Sequence, residues 1–212
     1  GRTVDWSAGR NRYVGYLISL WMFSFKGKKV GLDCANGSAW MIARSVFDAL
    51  GATTYVMGDE PDGFNINNGV GSTHIEALQR FVVEKGLDVG FAYDGDADRC
   101  LVVDENGEAM DGDQIMLICA LELMKRNKLH DNMLVTTVMS NVGLHQAMKA
   151  HGGKTVKTAV GDRYVLEEML KHNYSIGGEQ SGHIIFSEFA KTGDGILTAV
   201  QLLCAMVRNN KS

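Results

Sequence analysis

The stretch that decides the fold is residues 91–99, which read Phe-Ala-Tyr-Asp-Gly-Asp-Ala-Asp-Arg. An apolar run typical of a buried strand ends there in three carboxylates, at Asp94, Asp96 and Asp98. Two carboxylates about 4 Å apart repel one another by roughly 1 kcal/mol even in water, so a fold that gathers three needs a counter-charge. An oxygen-preferring divalent cation, Mg²⁺ or Ca²⁺, provides it. Arg99 adds a cation suited to a phosphate oxygen, so the loop predicts a metal ion beside a phosphoryl group.

The residues alone leave three interpretations of this loop open. The first is a solvated acidic turn between two strands. The second is an EF-hand, although the position that requires glycine holds Arg99 and both flanks are strand-like. The third is the metal loop of an Asp-nucleophile phosphatase, although Asp98 occupies the place where such enzymes usually carry Thr or Val.

A second informative stretch is residues 177–183, Gly-Gly-Glu-Gln-Ser-Gly-His. In an extended segment, Glu179, Ser181 and His183 would point to the same side. The carboxylate and the hydroxyl would then suit neighbouring hydroxyls of a sugar ring, and the imidazole titrates near neutral pH. The alternative interpretation is a glycine-rich hairpin with a surface glutamate.

Together, the two motifs resemble the α-D-phosphohexomutase superfamily. Its metal loop reads Asp-Gly-Asp-x-Asp-Arg and its sugar loop reads Gly-Glu-x-Ser-Gly-His, and both occur here in the expected order. Within the superfamily, the intervening segments are most similar to the bacterial phosphoglucosamine mutases; these segments are residues 30–37, 111–116, 139–141, 160–165 and 192–196.

The resemblance implies an isomerase that interconverts glucosamine 6-phosphate and glucosamine 1-phosphate by Mg²⁺-dependent phosphoryl transfer through a phosphoserine. It implies that the three aspartates hold Mg²⁺ and that Arg99 stabilises charge on the transferring group. Glu179 and Ser181 would bind the sugar hydroxyls. His183 is a candidate acid or base, with a phosphate-binding or structural role as the alternative, and Arg163 would reach substrate phosphate or cap its helix. A phosphomannomutase or phosphoglucomutase core and a non-catalytic binder of metal and sugar phosphate stay open.

The chain departs from the family in what its sequence does not contain. Family members carry a Ser-His-Asn-Pro loop in a preceding domain and an Arg-x-Ser-Gly-Thr phosphate clamp in a following one, and neither string occurs here. We therefore expect the chain to correspond to the two central domains, with the outer domains of the same enzyme and a sugar phosphate or hexose bisphosphate as its partners. Alone, it is expected to be inactive.

Charge, cysteine spacing and the length of the most apolar run argue against nucleic acid, a disulfide framework and a membrane span. A net charge of −4 provides no basic surface for nucleic acid. The four cysteines are widely spaced without a Cys-x-x-Cys pattern, which favours buried, reduced thiols in a cytoplasmic protein. The run Tyr13–Phe25 is too short for the roughly 20 residues that a membrane span requires. Its apolar residues predict an amphipathic helix instead; they are Val14, Leu17, Ile18, Trp21, Met22 and Phe25.

The order of patterns predicts an α/β fold of two consecutive α/β domains with related topology and mixed sheets, residues 1–111 and 112–212. In the family these would be domains 2 and 3. Each half shows strand, Asn-containing turn, helix, Gly-rich stop and strand. Within the first half, a helix is predicted over 39–50, and Thr73 with Glu76 predicts a capping box at the start of a helix over 74–85. The metal loop then falls at the carboxyl end of a strand, where such folds bind ligands.

Overall fold

The computed structural model describes residues 4, 6–21 and 24–210. The first half contains a five-stranded mixed sheet of order β2-β1-β3-β4-β5. Its first three strands are parallel, and β4 and β5 pair antiparallel. The strands in chain order are β1 (Lys29–Asp33), β2 (Thr53–Met57), β3 (Val89–Tyr93), β4 (Cys100–Asp104) and β5 (Ala109–Met110).

Helices cover this sheet on both faces, which is why all five residues of the central strand β3 are buried. The helices of the first half are α1 (Ser7–Ser19), a 3₁₀ turn (Ser38–Met41), α2 (Ala43–Ala49) and α3 (Ile75–Lys85). Helix α3 packs on β1 and β3 through Leu78 and Val82, and it ends where Gly86 adopts the left-handed conformation.

The second half repeats this pattern with a four-stranded sheet of order β7-β6-β8-β9, in which only β9 is antiparallel. Its strands are β6 (Met133–Thr137), β7 (Lys154–Thr158), β8 (Ile176–Gly178) and β9 (Ile184–Phe186). Its helices are α4 (Gly112–Lys125), a 3₁₀ turn (His130–Asn132), α5 (Val142–Ala150), α6 (Asp162–His172) and α7 (Gly195–Asn209).

The two halves share the main hydrophobic core. Helix α7 packs on α4, β3 and β4, so it joins the second half to the sheet of the first. Eleven of its 15 residues are buried, which makes it an interior helix rather than a surface one. The main apolar cluster accordingly contains Phe91 and Val102 from the first sheet together with Leu134 and Ile184 from the second.

The predicted fold class is confirmed: two α/β units with mixed sheets occur in the expected order. The division between residues 111 and 112 stays a prediction. In this linker, the carboxylate of Asp111 caps α4 by accepting from the backbone N–H groups of Asp113 and Gln114.

Two local predictions, at residues 39–50 and at Thr73, were wrong. The helix expected over 39–50 is divided at Ile42 into the 3₁₀ turn and α2. The capping box expected at Thr73 is absent because His74, not Thr73, precedes the first helical residue of α3; a capping box occurs instead between Asp111 and Gln114.

The helix expected within the run 13–25 begins earlier and ends earlier. It is α1, over residues 7–19, and Phe25 is buried in the core beyond its end. Met22, which the helical spacing included, lies outside the described residues. Over the part of the chain that the structure describes, every helix is too short or too polar to cross a membrane.

Candidate active site

The metal loop turns sharply between β3 and β4. Asp94 follows β3 directly, and its backbone carbonyl accepts from the N–H of Ala97 at 3.1 Å. Ala97 has φ +61°, a left-handed conformation that is unusual for alanine and that brings the flanking carboxylates together. The Gly95 carbonyl accepts from Ser38 N–H at 2.8 Å, which fixes the loop against the 3₁₀ turn. The sharp turn therefore gathers the three aspartates as the sequence predicted.

One oxygen from each of Asp94, Asp96 and Asp98 lies within 4.8 Å of the others. The pKa of Asp94 is raised to about 6; burial is the largest cause, a hydrogen bond from Arg99 N–H opposes the rise, and the charges of the other two carboxylates add to it. Oδ1 of Asp98 is buried and accepts no hydrogen bond. A cluster with crowded charge and an unsatisfied inward oxygen is suited to a divalent cation.

Arg99 lies over the same loop. Its Nε is 3.8 Å from Oδ2 of Asp94 and 3.9 Å from Oδ1 of Asp98, and its side chain is about half exposed. The guanidinium therefore has surface left to contact an anion beside the metal loop.

The segment 179–182 is a turn between β8 and β9, where Gly182 N–H donates to the Glu179 carbonyl at 3.0 Å. The extended conformation expected for this segment was wrong, because the two strands form a tight hairpin. The Glu179 carboxylate accepts from Gly161 N–H at 2.9 Å, so it also connects the turn to the start of α6. Ser181 is exposed at the tip of the turn.

The two loops, far apart in sequence, meet at His183. This residue pairs with Arg99 as an antiparallel β-bridge, and Cys100 N–H donates to the Gly182 carbonyl at 3.1 Å. The imidazole is buried; its Nδ1 is 3.1 Å from Oδ2 of Asp98, and its Nε2 accepts from Gly193 N–H at 3.1 Å. The fold thus brings the metal loop and the sugar loop into direct contact.

Arg163 pairs with Glu167 on α6 rather than with the metal loop or His183. Its guanidinium donates to Glu167 at 2.8 Å, one turn along α6, and the side chain is exposed. The hydrogen bond and the charge of Glu167 raise the pKa of Arg163.

Comparison with known proteins places the chain in a family. A family model described as phosphoglucomutase/phosphomannomutase, alpha/beta/alpha domain II, matches residues 11–107, and the corresponding model for domain III matches residues 111–212. The chain belongs to the α-D-phosphohexomutases. The phosphoglucosamine mutase of Lachnoclostridium phytofermentans is 59% identical over 211 residues, which cover 100% of this chain and 47% of that relative. The chain therefore spans about half the length of this curated relative.

Solved phosphohexomutase structures show the same fold. A phosphoglucomutase/phosphomannomutase family protein from Burkholderia thailandensis superimposes with a TM-score of 0.84 at 26% identity, over 94% of this chain and 44% of that one. The N-acetylphosphoglucosamine mutase of Aspergillus fumigatus, in complex with GlcNAc-6P and magnesium, has a TM-score of 0.70 at 19% identity, over 94% of this chain and 50% of that one.

Sequence reasoning missed a second group of phosphohexomutase residues at this site. Gly193 N–H donates to Nε2 of His183, and Oδ2 of Asp162 lies 4.0 Å from the same nitrogen. Gly195 N–H donates to the Ala97 carbonyl at 2.9 Å. The Thr-Gly-Asp-Gly string at 192–195 was the available signal, since two glycines around one acid indicate close backbone approach.

Two cavities differ in their relation to these residues. One of about 250 Å³ lies behind the metal loop and is lined by Tyr13, Ser38, Asp96, Asp98 and Asp194 among others. A larger one, of about 700 Å³, lies between the ends of α4 and α6 and the segment after β9, and it contains none of the predicted site residues.

Proposed function

We propose that this chain supplies the magnesium loop and the sugar loop of a phosphoglucosamine mutase, which interconverts glucosamine 6-phosphate and glucosamine 1-phosphate. The observation that carries the proposal is the contact of Asp98 with His183, since it joins an acidic loop to a motif that resembles a sugar-binding one. The 59% identity to a phosphoglucosamine mutase over the whole chain supports the amino sugar as substrate.

The residues present fit a magnesium ion. Three carboxylates converge, the buried Oδ1 of Asp98 has no hydrogen-bond donor, and burial together with the two neighbouring carboxylates raises the pKa of Asp94, which a cation would oppose. When bound, Mg²⁺ would supply Lewis-acid stabilisation to a transferring phosphoryl group. Oxygen ligands alone suit this hard cation, and the complex of a structural neighbour with magnesium is consistent with it.

The remaining residues have roles that follow from their positions. The Arg99 guanidinium would stabilise negative charge on the transferring phosphoryl group, because it lies over the metal loop with exposed surface. Glu179 has a second carboxylate oxygen available to accept from a sugar hydroxyl, and Ser181 is exposed beside it. Arg163 would reach substrate phosphate only after leaving Glu167.

The complete reaction also needs a group that holds the phosphoryl between the two sugar encounters. In the family that the sequence resembles, this group is a phosphoserine in a neighbouring domain of the same enzyme. Ser181 would bind hydroxyl and would not carry phosphate. We place the reaction in the cytoplasm, which agrees with four buried, unpaired cysteines.

A chimera tests the function. This chain replaces the matching segment of the Lachnoclostridium phytofermentans relative, and conversion of glucosamine 6-phosphate to the 1-phosphate is followed with Mg²⁺ and a hexose bisphosphate. Activity that is lost in Asp96→Ala and in Glu179→Ala supports the proposal. Higher kcat/KM for glucose or mannose phosphates would favour a phosphoglucomutase or phosphomannomutase, and release of free phosphate by the chain alone would favour a phosphatase.

A further inference from the structure

The imidazole of His183 has a hydrogen-bond partner at each nitrogen, and those partners determine where its proton lies. A backbone N–H can only donate, so Nε2, which receives the hydrogen bond of Gly193, is the acceptor. In the neutral ring the proton is then on Nδ1, where it is donated to Oδ2 of Asp98 at 3.1 Å. The ring is buried, and a Cβ at Gly193 would overlap it, so the packing holds it in one orientation.

This hydrogen bond leaves the two oxygens of Asp98 in different situations. Oδ2 is occupied by His183, and Oδ1 is buried with no donor. A carboxylate fixed at one oxygen has less rotational freedom at the other, so Oδ1 is held in one direction relative to Asp94 and Asp96. Hydrogen bonds to metal-ligating groups commonly serve this purpose, and their removal typically costs about 10- to 100-fold in metal affinity.

We propose that His183 is a positioning residue, which orients Asp98 for the cation by donating from Nδ1 and thereby strengthens binding of the cation. The inference rests on the proposed role of the three aspartates as magnesium ligands. It assigns His183 a function that requires no proton transfer to substrate.

Two substitutions of His183 distinguish the roles of its two ring nitrogens. His183→Asn keeps an N–H donor close to the position of Nδ1, whereas His183→Gln places its amide near Nε2, where it can accept from Gly193 but cannot replace the donor to Asp98. Isothermal titration of the chain with MgCl₂ is expected to show affinity within about threefold of the parent for His183→Asn and roughly tenfold weaker for His183→Gln. Equal affinities of the two variants would overturn the proposal.

Gln180→Ala is the matched control. The Gln180 amide donates to Oδ2 of Asp111 at 3.0 Å and secures the same turn from the opposite side, without contact to a metal-loop carboxylate. Its magnesium affinity should equal that of the parent chain. A loss as large as that of His183→Gln would show that any loosening of the turn is sufficient, and the specific role of His183 would fail.

A spectroscopic measurement on the unsubstituted chain covers the case in which a variant does not fold. Long-range ¹H–¹⁵N correlation of the histidine rings should show His183 protonated at Nδ1 with Nε2 unprotonated; the opposite tautomer would overturn the proposal. Asp96→Ala separates this inference from the proposed function. If Asp96→Ala does not weaken Mg²⁺ binding, the metal loop itself is misassigned, whereas a response to Asp96→Ala with none to His183→Gln rejects only the positioning role.

Discussion

The Tyr13 hydroxyl donates a 2.7 Å hydrogen bond to Oδ2 of Asp194, which lies 181 positions away in the chain. Asp194 also caps α7, since its Oδ1 accepts from Leu197 N–H at 2.8 Å. Burial raises the pKa of both groups, and the hydrogen bonds to Asp194 oppose the rise of its pKa. One partly buried carboxylate therefore connects α1 to the helix that carries the core between the two halves.

Tyr13→Phe should destabilise the chain. The substitution removes the donor to Oδ2 of the partly buried Asp194 carboxylate, and loss of a hydrogen-bond partner at such a group costs about 1 kcal/mol or more. Urea unfolding followed by circular dichroism should show a lower midpoint with an unchanged slope. Tyr16→Phe is the control, because the hydroxyl of the exposed Tyr16 donates to a backbone carbonyl, that of Phe189, and to no carboxylate. An equal loss of stability in both variants would contradict the special role of Asp194.

Asp94→Asn should change how stability depends on pH. The pKa of Asp94 in the fold, about 6, lies above the ordinary value of 3.8. Its stabilising contribution is therefore complete below pH 3.8 and is lost as pH rises through 6. Asparagine stays neutral and its amide oxygen can still accept from Arg99 N–H, so the metal-free variant should be more stable than the parent at pH 7 and equal to it at acid pH.

Added magnesium should stabilise the parent chain and leave the Asp94→Asn variant unchanged. Added MgCl₂ should raise the free energy of unfolding of the parent at pH 7, because a ligand that binds only the folded state stabilises it. Asp94→Asn should not respond, since it removes one of the three carboxylates. A parent chain insensitive to millimolar MgCl₂ would contradict the assignment of the loop.

The metal loop could be predicted because its information is local. An apolar run followed directly by Asp94 predicts a strand that delivers a carboxylate, and β3 is such a strand. The strand β4 was also predictable, because the apolar run over residues 100–103 directly after the loop is strand-like. Local patterns were insufficient at residues 39–50, where Ser38 N–H binds the Gly95 carbonyl and the chain makes a 3₁₀ turn before α2 begins.

The joining of the two loops could not be predicted from local patterns. Asp98 and His183 are 85 positions apart, and their contact depends on β9 pairing with β8 and on α7 packing against β4. The same holds for Glu179, whose carboxylate binds Gly161 across the sheet. Sequence identified the residue types, whereas tertiary packing decided which oxygen and which nitrogen face one another.

The four thiols should be unreactive in the native chain. Cys34, Cys100, Cys119 and Cys204 are all buried, and burial raises the pKa of Cys34, Cys119 and Cys204 to about 12. Because the thiolate is the reactive form, labelling with a thiol reagent at pH 8 should be negligible before denaturation and complete after it. Rapid labelling of Cys119 or Cys204 alone would show that α4 and α7 separate in solution.

Two substitutions of Glu179 should separate its contact with the backbone from its contact with substrate. Glu179→Gln retains an oxygen that can accept from Gly161 N–H, but it loses the negative charge, whereas Glu179→Ala loses both. In the chimera described above, both variants should lower kcat/KM for glucosamine 6-phosphate, because a charged acceptor forms stronger hydrogen bonds to hydroxyl and ammonium groups than a neutral one. Only Glu179→Ala should also lower the thermal unfolding midpoint.

Mg²⁺ affinity should stay at the parental level in both variants of Glu179, since the carboxylate does not belong to the metal loop. Parental turnover by Glu179→Ala would reject the sugar-binding role of this turn, and parental turnover by Glu179→Gln alone would reduce the role of Glu179 to that of a structural acceptor.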